Sequence, residues 1–287
     1  MEFKDCETGT DILSFFNDPN RAEKHTYFYH YTTLQNVDSI LKEKAFRLTR
    51  LAVTANDTIE KKRYEAYGDN VFSLCFSTGT SESLPLWYLY SGIDGKGARI
   101  GLKKKSFLDL CRADLSLAAT ETVYPYRIIG SPVKLSPDDY DFIARDILYL
   151  GQDPAKPKYY RAKYNGQVIN DLSEATHHEI DQQYPFIKSL IWFYEKETRI
   201  QVVVKNKALI KPNVNYVVLL YVSDLFDQLS VRLAPEFGEV TTATIEDHVG
   251  IKSWLLSNIE KSDFSGQLKM GLKEKLCNNC KIKKEDT

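Results

Sequence analysis

The first informative segment of the sequence is Tyr27-Phe28-Tyr29-His30-Tyr31-Thr32-Thr33, which is followed by residues 34–41 and then by Ala45-Phe46-Arg47-Leu48-Thr49. Aromatic and β-branched residues dominate the first segment and favour a strand. Apolar residues then recur with helical spacing from Leu34 to Leu41, and a period of two returns at Phe46. The stretch therefore predicts a strand, a helix and a second strand.

His30 is the polar residue that interrupts the first predicted strand. Buried imidazoles usually find a hydrogen-bond partner inside the core, so a structural role is one interpretation. A role in ligand binding is the other. The strand alone leaves both interpretations open.

Composition and charge are those of an ordinary globular chain with no global preference for a charged partner. The 287 residues suffice for one large domain or two small ones. Lys and Arg total 38 against 39 Asp and Glu, so no net field favours nucleic acid or a membrane surface. No apolar run reaches the roughly 18 residues of a membrane span. Five cysteines without a framework of spacings suit a reducing compartment, so we expect a cytoplasmic protein.

Further secondary structure is predicted from the clustering and spacing of apolar residues. Strands are predicted over 71–78, 98–102, 121–129, 198–204 and 214–222, and helices over 12–16, 83–90, 103–118, 136–150, 171–191 and 241–256. Residues 151–170 have the composition of a loop, and the strand at 98–102 is expected to pair with the one at 71–78.

The fold class follows from the uneven spacing of these elements. Strict alternation of strand and helix is absent, which predicts a mixed α+β fold with largely antiparallel sheets and flanking helices. We divide the chain into an N-terminal arm over 1–24, one α+β domain over 25–260 and a basic polar tail over 261–287.

Two motifs with metal-binding residue types are too weak to predict a metal site. His177 and His178 are adjacent and point to different faces of a helix, whereas a helical zinc site uses an i, i+4 pair. Cys277 and Cys280 form a single Cys-x-x-Cys without a second pair or nearby histidines. We predict no metal.

A second informative stretch is Trp192-Phe193-Tyr194-Glu195-Lys196-Glu197-Thr198-Arg199. As the start of a strand, it places Glu195, Glu197 and Arg199 on one face. A surface ladder of charges is the commoner fate of such residues. A functional site is the alternative, because the preceding aromatic residues would partly desolvate a glutamate while Arg199 keeps it ionised.

Together these segments resemble the bacterial domain-of-unknown-function family numbered 2971. The resemblance extends over residues 27–240. The motifs that carry it are Tyr29-His30-Tyr31-Thr32-Thr33, Ser39-Ile40-Leu41, Phe46-Arg47-Leu48-Thr49, Asn56-Asp57 with Glu60, Phe76-Ser77, Leu86-Trp87 with Tyr90, and Trp192 with Glu195-Lys196-Glu197-Thr198-Arg199. The name of that family implies no activity.

A more distant resemblance is to the ADP-ribosyltransferase fold, and this one implies a chemistry. It rests on the order of a strand-borne histidine, a strand ending in Ser-Thr, nearby tyrosines and a later Glu-x-Glu that leads a strand. In that superfamily a His or Arg on the first core strand holds the ribose of NAD. Aromatic side chains stack on nicotinamide, and a glutamate on a later strand directs transfer.

Carried over residue by residue, this resemblance implies NAD as the substrate. Glu197 would be the catalytic acid, and Glu195 would place the acceptor. The NAD-binding set that it implies is His30, Tyr31, Thr32, Ser77, Trp87, Tyr88, Tyr90 and Arg199. His30 would contact the ribose, and the choice of stacking residue stays open between Trp87, Tyr88 and Tyr90.

The resemblance thus implies an NAD-consuming enzyme that transfers ADP-ribose to a macromolecule or hydrolyses NAD, as a toxin or antiphage defence effector. A non-catalytic ligand-sensing or interaction domain that uses the same aromatic cleft is the alternative. The acceptor, whether protein or nucleic acid, stays open, and we expect no membrane partner.

Overall fold

The computed structural model describes most of the chain in two compact units. The described residues are 2–18, 26–51, 69–90, 97–111, 115–123, 126–184, 186–211, 213–235, 259–260 and 262–264. The first unit comprises Met1–His30, Ser39–Ser83 and Leu102–Gln228, and the second comprises Tyr31–Asp38, Leu84–Gly101 and Leu229–Thr287. The predicted helix over 241–256, the tail with Cys277 and Cys280, and the motif Asn56-Asp57 with Glu60 lie outside the described residues.

The helices and strands of the described chain confirm a mixed α+β architecture. The helices are α1 (Gly9–Asn17), α2 (Leu34–Glu43), α3 (Leu84–Tyr90), α4 (Lys104–Cys111) and α5 (Glu174–Gln183). The strands are β1 (Tyr27–Thr33), β2 (Ala45–Arg50), β3 (Val71–Ser77), β4 (Gly97–Lys103), β5 (Leu115–Val123), β6 (Tyr126–Ile129), β7 (Val133–Lys134), β8 (Tyr140–Asp146), β9 (Leu148–Asp153), β10 (Lys156–Tyr164), β11 (Gln167–Leu172), β12 (Ile187–Ser189), β13 (Glu197–Val204), β14 (Asn215–Tyr221), β15 (Ser230–Leu233) and β16 (Ile259–Glu260). Short 3-10 segments span Phe3–Asp5, Pro137–Asp139, Leu190–Glu195, Lys207–Leu209 and Ser223–Gln228.

The strand pairing confirms largely antiparallel sheets. The predicted strand-helix-strand of the opening stretch is present as β1, α2 and β2. Antiparallel pairs join β1 to β3, β3 to β13, β13 to β8, and β2 and β5 to β14. The parallel pairs are β9 with β12 and β15 with β16.

The larger sheet of the first unit is organised around β3. This strand pairs with β13 along its whole length, with β2 at Phe72 and Ser73, and with β1 at Ser77. Its apolar face packs aromatic rings in edge-to-face contacts, with the Phe76 ring centroid 5.2 Å from that of Phe107. The opposite face of β3 carries Ser73, Cys75 and Ser77, so this strand is apolar on one side and polar on the other.

A second sheet of the first unit has the strand order β11-β10-β9-β12. Apolar side chains of this sheet pack in a hydrophobic cluster with Phe3 and Phe16 of the N-terminal segment and with Ile180 of α5. The Tyr164 hydroxyl in this cluster donates to Asp146, at 2.6 Å. Because Asp146 is the last residue of β8, which pairs with β13, this contact joins the second sheet to the larger one.

The second unit contains β4, β15 and β16, and its pairing corrects one prediction. The strand predicted at 98–102 pairs with β15, from Ala98 to Gly101, and the predicted pairing with 71–78 is wrong. In the first unit β3 already has β13, β2 and β1 as partners, so its hydrogen-bonding edges are occupied.

The helix predicted over 103–118 ends at Cys111, and β5 begins at Leu115. Leu115 and Leu117 are buried and pair in register with Leu220 and Val218 of β14. The buried residues of this segment alternate with a period of two, which fits pairing with β14. This pairing outweighs the helical spacing of the preceding residues, so the segment is a strand.

The helix predicted over 136–150 is also wrong. Ser136 and Asp139 do form a capping box, but it begins only the 3-10 turn Pro137–Asp139. The chain continues as β8 and β9, and β8 pairs residue by residue with β13. Pairing with a distant strand thus outweighs the local helix-start signal of Ser136 and Pro137.

The predicted loop over 151–170 is in fact largely the hairpin of β10 and β11. Asn165 and Gly166 form its turn with φ of 49° and 82°. Positive φ at both central residues is the geometry of the two-residue hairpin turn that Asn-Gly favours. Close by, the helix predicted over 171–191 is shorter, because α5 ends at Gln183 and β12 follows.

None of the helices in the described part of the chain has the length and apolar character that a membrane crossing requires.

Candidate functional site

The register of β1, β3 and β13 brings three predicted motifs into one row. Tyr29 pairs with Ser77, and Ser77 pairs on its other side with Glu197. Directly paired residues of antiparallel strands point to the same face of a sheet. One face of the first unit therefore carries side chains from the opening strand, the serine strand and the glutamate strand.

Glu197 lies at the start of β13 with both carboxylate oxygens bound. Arg199 Nε donates to Oε1 at 2.7 Å, and Lys188 Nζ donates to Oε2 at 2.9 Å. The Glu197 side chain is only 4% exposed. Glu197 pairs with Ser77 of β3, and Arg199 pairs with Cys75. Because Ser77 and Cys75 lie on the same face of β3, the prediction that Glu197 and Arg199 share a face is confirmed.

Glu195 reaches the same cluster from a different backbone conformation. The predicted continuous strand through Glu195 is wrong, since Leu190–Glu195 is a 3-10 segment and Lys196 has a left-handed φ of 45°. This reversal turns the chain between the two glutamates. The Glu195 carboxylate lies 2.5 Å from the ammonium group of Lys188, so both carboxylates converge on one lysine.

Lys188 is the member of the site that the sequence does not reveal. It is the middle residue of β12, and its side chain is 5% exposed. Its ammonium group also lies 5.4 Å from the centre of the Trp192 ring. No spacing rule links a lysine in a three-residue strand to a Glu-x-Glu that follows it, and a buried lysine is uncommon. The signal is only the charge within an otherwise apolar segment.

The cluster keeps its charged groups ionised. Burial alone would raise the pKa of Glu197, but the Arg199 guanidinium and the Lys188 ammonium reverse this and hold the pKa well below its usual value. Burial alone would lower the pKa of Lys188, but the carboxylates of Glu197 and Glu195 outweigh burial and raise it. Glu197 is therefore a carboxylate throughout the neutral pH range.

Solvent reaches this face of the sheet at Cys75. Its side chain is exposed, and it lies on β3 directly opposite Arg199 of β13. Protein atoms nonetheless surround the thiol closely, and this desolvation, with the Glu197 charge, raises the pKa of Cys75 to about 12. The carboxylate cluster therefore lies on the same face of the sheet as the exposed Cys75 side chain.

His30 does not join this row, so the prediction that His30 and Glu197 lie on the same cleft is wrong. Its ring packs edge-to-face against Phe46 and Phe76, at centroid distances of 6.0 and 5.8 Å, on the apolar face of the sheet. Its Nδ1 lies 3.0 Å from the Cys75 carbonyl oxygen, which can only accept, so Nδ1 carries the proton. Desolvation by the surrounding protein lowers the pKa of His30 and favours the neutral ring.

Two predicted aromatic contacts, Tyr31 and Trp87, pack together in the second unit. Their rings meet edge-to-face at 4.9 Å, and both side chains are buried. The Arg99 guanidinium carbon lies 5.8 Å from the centre of the Tyr31 ring. Trp87 is thus part of the packing of its own unit.

The other predicted residues of the second unit are Thr32, Tyr88 and Tyr90. The Thr32 hydroxyl accepts a hydrogen bond from Asn36 Nδ2 at 2.9 Å, which ties the end of β1 to α2. Tyr88 and Tyr90 lie on α3 and are half-buried. Half-burial leaves part of each ring accessible, whereas Trp87 is enclosed.

A metal site is not formed by the described residues, among which no group of three or more His, Cys, Asp or Glu is arranged to hold an ion. His177 instead stacks on Tyr160 with a centroid distance of 4.0 Å, and His178 lies 2.9 Å from the Gln182 side-chain nitrogen. These contacts are those of a helix surface.

Two comparisons with known proteins find no match. No protein-family model matches the chain, and no curated protein sequence matches it. The resemblances to the family numbered 2971 and to the ADP-ribosyltransferase fold stay predictions.

Proposed function

We propose that the protein cleaves the bond between nicotinamide and ribose in NAD and passes ADP-ribose to a macromolecular acceptor or to water. The observation that carries the proposal is the buried Glu197, whose carboxylate is paired with Arg199 and Lys188 on the face of the sheet where the Cys75 side chain is exposed. A fixed negative charge at such a place is suited to a reaction whose transition state is cationic.

The reaction breaks the bond between C1′ of the ribose and N1 of nicotinamide. Both bonding electrons go to the ring nitrogen, which becomes neutral, while C1′ gains oxocarbenium character. Glu197 would stabilise that positive charge, and the low local dielectric would strengthen the interaction. A nucleophile on the acceptor, or water, then bonds to C1′ and loses its proton.

Ser77 and Tyr29 are the neighbours best placed to orient the sugar. They occupy the same row as Glu197 on adjacent strands, so their hydroxyl groups share its face. Hydrogen bonds of this kind lower a barrier by positioning. Glu195 is fixed beside Glu197 through Lys188 and is the candidate to place the acceptor. His30 packs on the opposite face, so we assign it no substrate contact.

A second function, ligand binding without catalysis, is favoured by one observation. Both oxygens of Glu197 are already bound, to Arg199 and to Lys188. A carboxylate engaged in this way also serves as a fixed wall of a binding site. In that case the same face of the sheet would recognise a ligand, and Glu197 would contribute shape and charge without turnover.

Nicotinamide release from NAD distinguishes these functions. We expect wild type to release nicotinamide and Glu197→Gln to be slower by about 10² to 10³-fold, with NAD affinity by calorimetry nearly unchanged. The matched control is Glu121→Gln, which changes an exposed strand glutamate and should leave the rate unaltered. Glu197→Gln removes one carboxylate from beside two buried cations, which destabilises the protein. Rates are therefore compared at temperatures at which thermal unfolding shows that each protein is folded.

The outcomes separate cleanly. NAD binding without nicotinamide release by wild type would favour the binding function. Neither binding nor release, with protein and nucleic-acid acceptors present, would overturn the proposal. A Glu197→Gln variant that turns over NAD like wild type would remove Glu197 from the mechanism.

A further inference from the structure

We propose that Lys188 is a positioning residue, which holds Glu195 and Glu197 side by side as an ionised pair. Its catalytic meaning rests on the proposed function, whereas its structural basis rests on contacts within the protein alone. Those contacts make a prediction that can be tested without NAD.

The geometry around Lys188 is that of a bridge. Its ammonium nitrogen lies 2.5 Å from Glu195 and 2.9 Å from Glu197, and none of the three side chains is more than 5% exposed. The same ammonium group lies over the ring of Trp192. A lysine ammonium is a compact charge with three donors, so it can serve two carboxylates at once.

The positive charge of Lys188 affects whether both Glu195 and Glu197 stay ionised. Two buried carboxylates that share a site repel each other, and without compensation one of them takes up a proton. Lys188 and Arg199 supply two positive charges against the two negative charges of Glu195 and Glu197. Removal of Lys188 leaves one cation for two anions, which favours protonation of the pair.

The other titratable groups that face the cluster do not replace this charge. They are Cys75 of β3, Tyr149 of β9 and Tyr194 of the 3-10 segment that also carries Glu195. The Tyr149 hydroxyl accepts from the Glu197 backbone N–H at 2.8 Å. Desolvation by burial is the first cause that raises the pKa of each of these groups, and all are neutral at physiological pH. Arg145 of β8 pairs with Arg199 and shares its face, but its side chain is exposed to solvent. The charge balance of the buried groups therefore depends on Lys188 and Arg199.

The register explains why Lys188 occupies this position. Lys188 pairs with Tyr149 across β12 and β9, so the two side chains are neighbours on one face of the second sheet. Tyr149 fixes the backbone of Glu197, and Lys188 fixes its carboxylate. Lys188 of the short edge strand β12 thus places its positive charge beside Glu197, at the start of β13 in the other sheet.

The first test follows the carboxyl groups directly in the absence of NAD. Protein labelled with 13C at the glutamate carboxyl carbon is titrated by NMR, and the Glu195 and Glu197 signals are assigned from Glu195→Gln and Glu197→Gln. In wild type we expect the Glu197 carboxyl to stay ionised down to pH values below 4.5, the ordinary value for Glu. In Lys188→Met a carboxyl of the pair should titrate at higher pH than in wild type. Lys188→Arg, which keeps the charge, should restore the ionised pair.

The second test is the pH profile of nicotinamide release. In Lys188→Met the acid limb of kcat should move to higher pH, because each unit by which the pKa exceeds the assay pH leaves about tenfold less of the ionised form. KM for NAD should change less than kcat. The control is Lys205→Met, which removes an exposed lysine from a surface ion pair with Asp141 and should move neither titration nor profile.

The outcomes keep this inference apart from the proposed function. Carboxyl titrations in Lys188→Met that match wild type overturn the positioning role, whether or not NAD is cleaved. A raised carboxyl titration together with no nicotinamide release in wild type supports the bridge and rejects the NAD reaction alone. If Lys188→Met does not fold, Lys188→Gln, which also removes the charge but keeps a polar side chain, takes its place. A carboxyl of the pair that titrates at higher pH than in wild type supports the role, and titrations that match wild type overturn it.

Discussion

Lys188 and Glu197 form an ion pair between two sheets, with Nζ of the first 2.9 Å from Oε2 of the second. Lys188 belongs to the four-stranded sheet and Glu197 to the larger one. Each side chain is nearly excluded from water, so each depends on the other for compensation of its charge. Breaking a buried pair by removing one partner typically costs about 3–5 kcal/mol, because the remaining charge is left without its counter-ion.

The first prediction concerns stability in acid. The pKa of Glu197 is lowered by folding, so the unfolded chain takes up a proton first as the pH falls below 4.5. The contribution of Glu197 to the free energy of unfolding is present above that pH and is lost as the pH falls toward its folded pKa. Urea unfolding between pH 5.5 and 3 should therefore show a steeper loss for wild type than for Glu197→Gln. Glu121→Gln should keep the wild-type slope, and equal slopes in all three would contradict the prediction.

The second prediction concerns His30, which donates from Nδ1 to the Cys75 carbonyl on the apolar face. His30→Ala should lose about 1–3 kcal/mol of stability at pH 7.5, because the carbonyl loses its donor, while NAD affinity stays near wild type. His30→Asn should recover part of the loss, since its amide can donate. Loss of NAD binding without loss of stability would instead support the predicted ribose contact.

A third prediction uses the pH dependence of the same residue. The pKa of His30 is lowered from 6.5 in the folded protein, so the unfolded chain binds the proton first below that pH. The free energy of unfolding should fall more steeply for wild type than for His30→Asn as the pH drops from 7 to 5. His178→Asn changes an exposed histidine and serves as the control.

The fourth prediction concerns the exposed side chain of Cys75, which lies opposite Arg199. A large ring at this position should block a ligand that rests against this face, so Cys75→Trp should abolish NAD binding measured by calorimetry. Cys75→Ser replaces the thiol by a hydroxyl of similar size and should bind as wild type does. Undiminished binding by Cys75→Trp would place the ligand elsewhere.

The fifth prediction concerns the turn of the β10–β11 hairpin. Gly166 has φ of +82° with no atom within 4 Å of an added Cβ, so the cost of Gly166→Ala comes from the backbone alone. We expect a loss of about 1–2 kcal/mol in urea unfolding. Gly130→Ala, where the nearest atom would be at an ordinary 3.5 Å, should be neutral or slightly stabilising.

Local pattern was enough for much of the fold. Long runs of aromatic and β-branched residues predicted β1, β3, β13 and β14, and helical spacing predicted α2. The same reasoning failed over 136–150, where a genuine capping box at Ser136 starts only one turn. Strand pairing supplies hydrogen bonds from residues far along the chain, and no window of neighbouring residues contains that information.

The candidate site shows the same division. A period of two placed Glu197 and Arg199 on one face, as the structure confirms. It also implied that Glu195 continued the strand, which the left-handed Lys196 prevents. Whether His30 and Glu197 lie on the same face of the sheet depended on how β3 pairs with β1 and with β13. The sequences of the strands that carry His30 and Glu197 do not specify this pairing.

Local sequence was enough to predict β1, β3, β13 and β14 and the alternation of residues along them, because side-chain shape and period act between near neighbours. The shared row of Tyr29, Ser77 and Glu197, and the position of Lys188 between two glutamates, came only from the folded structure. Those relations depend on backbone hydrogen bonds and on neutralisation of buried charge. Both join residues whose distance in space is unrelated to their distance along the chain.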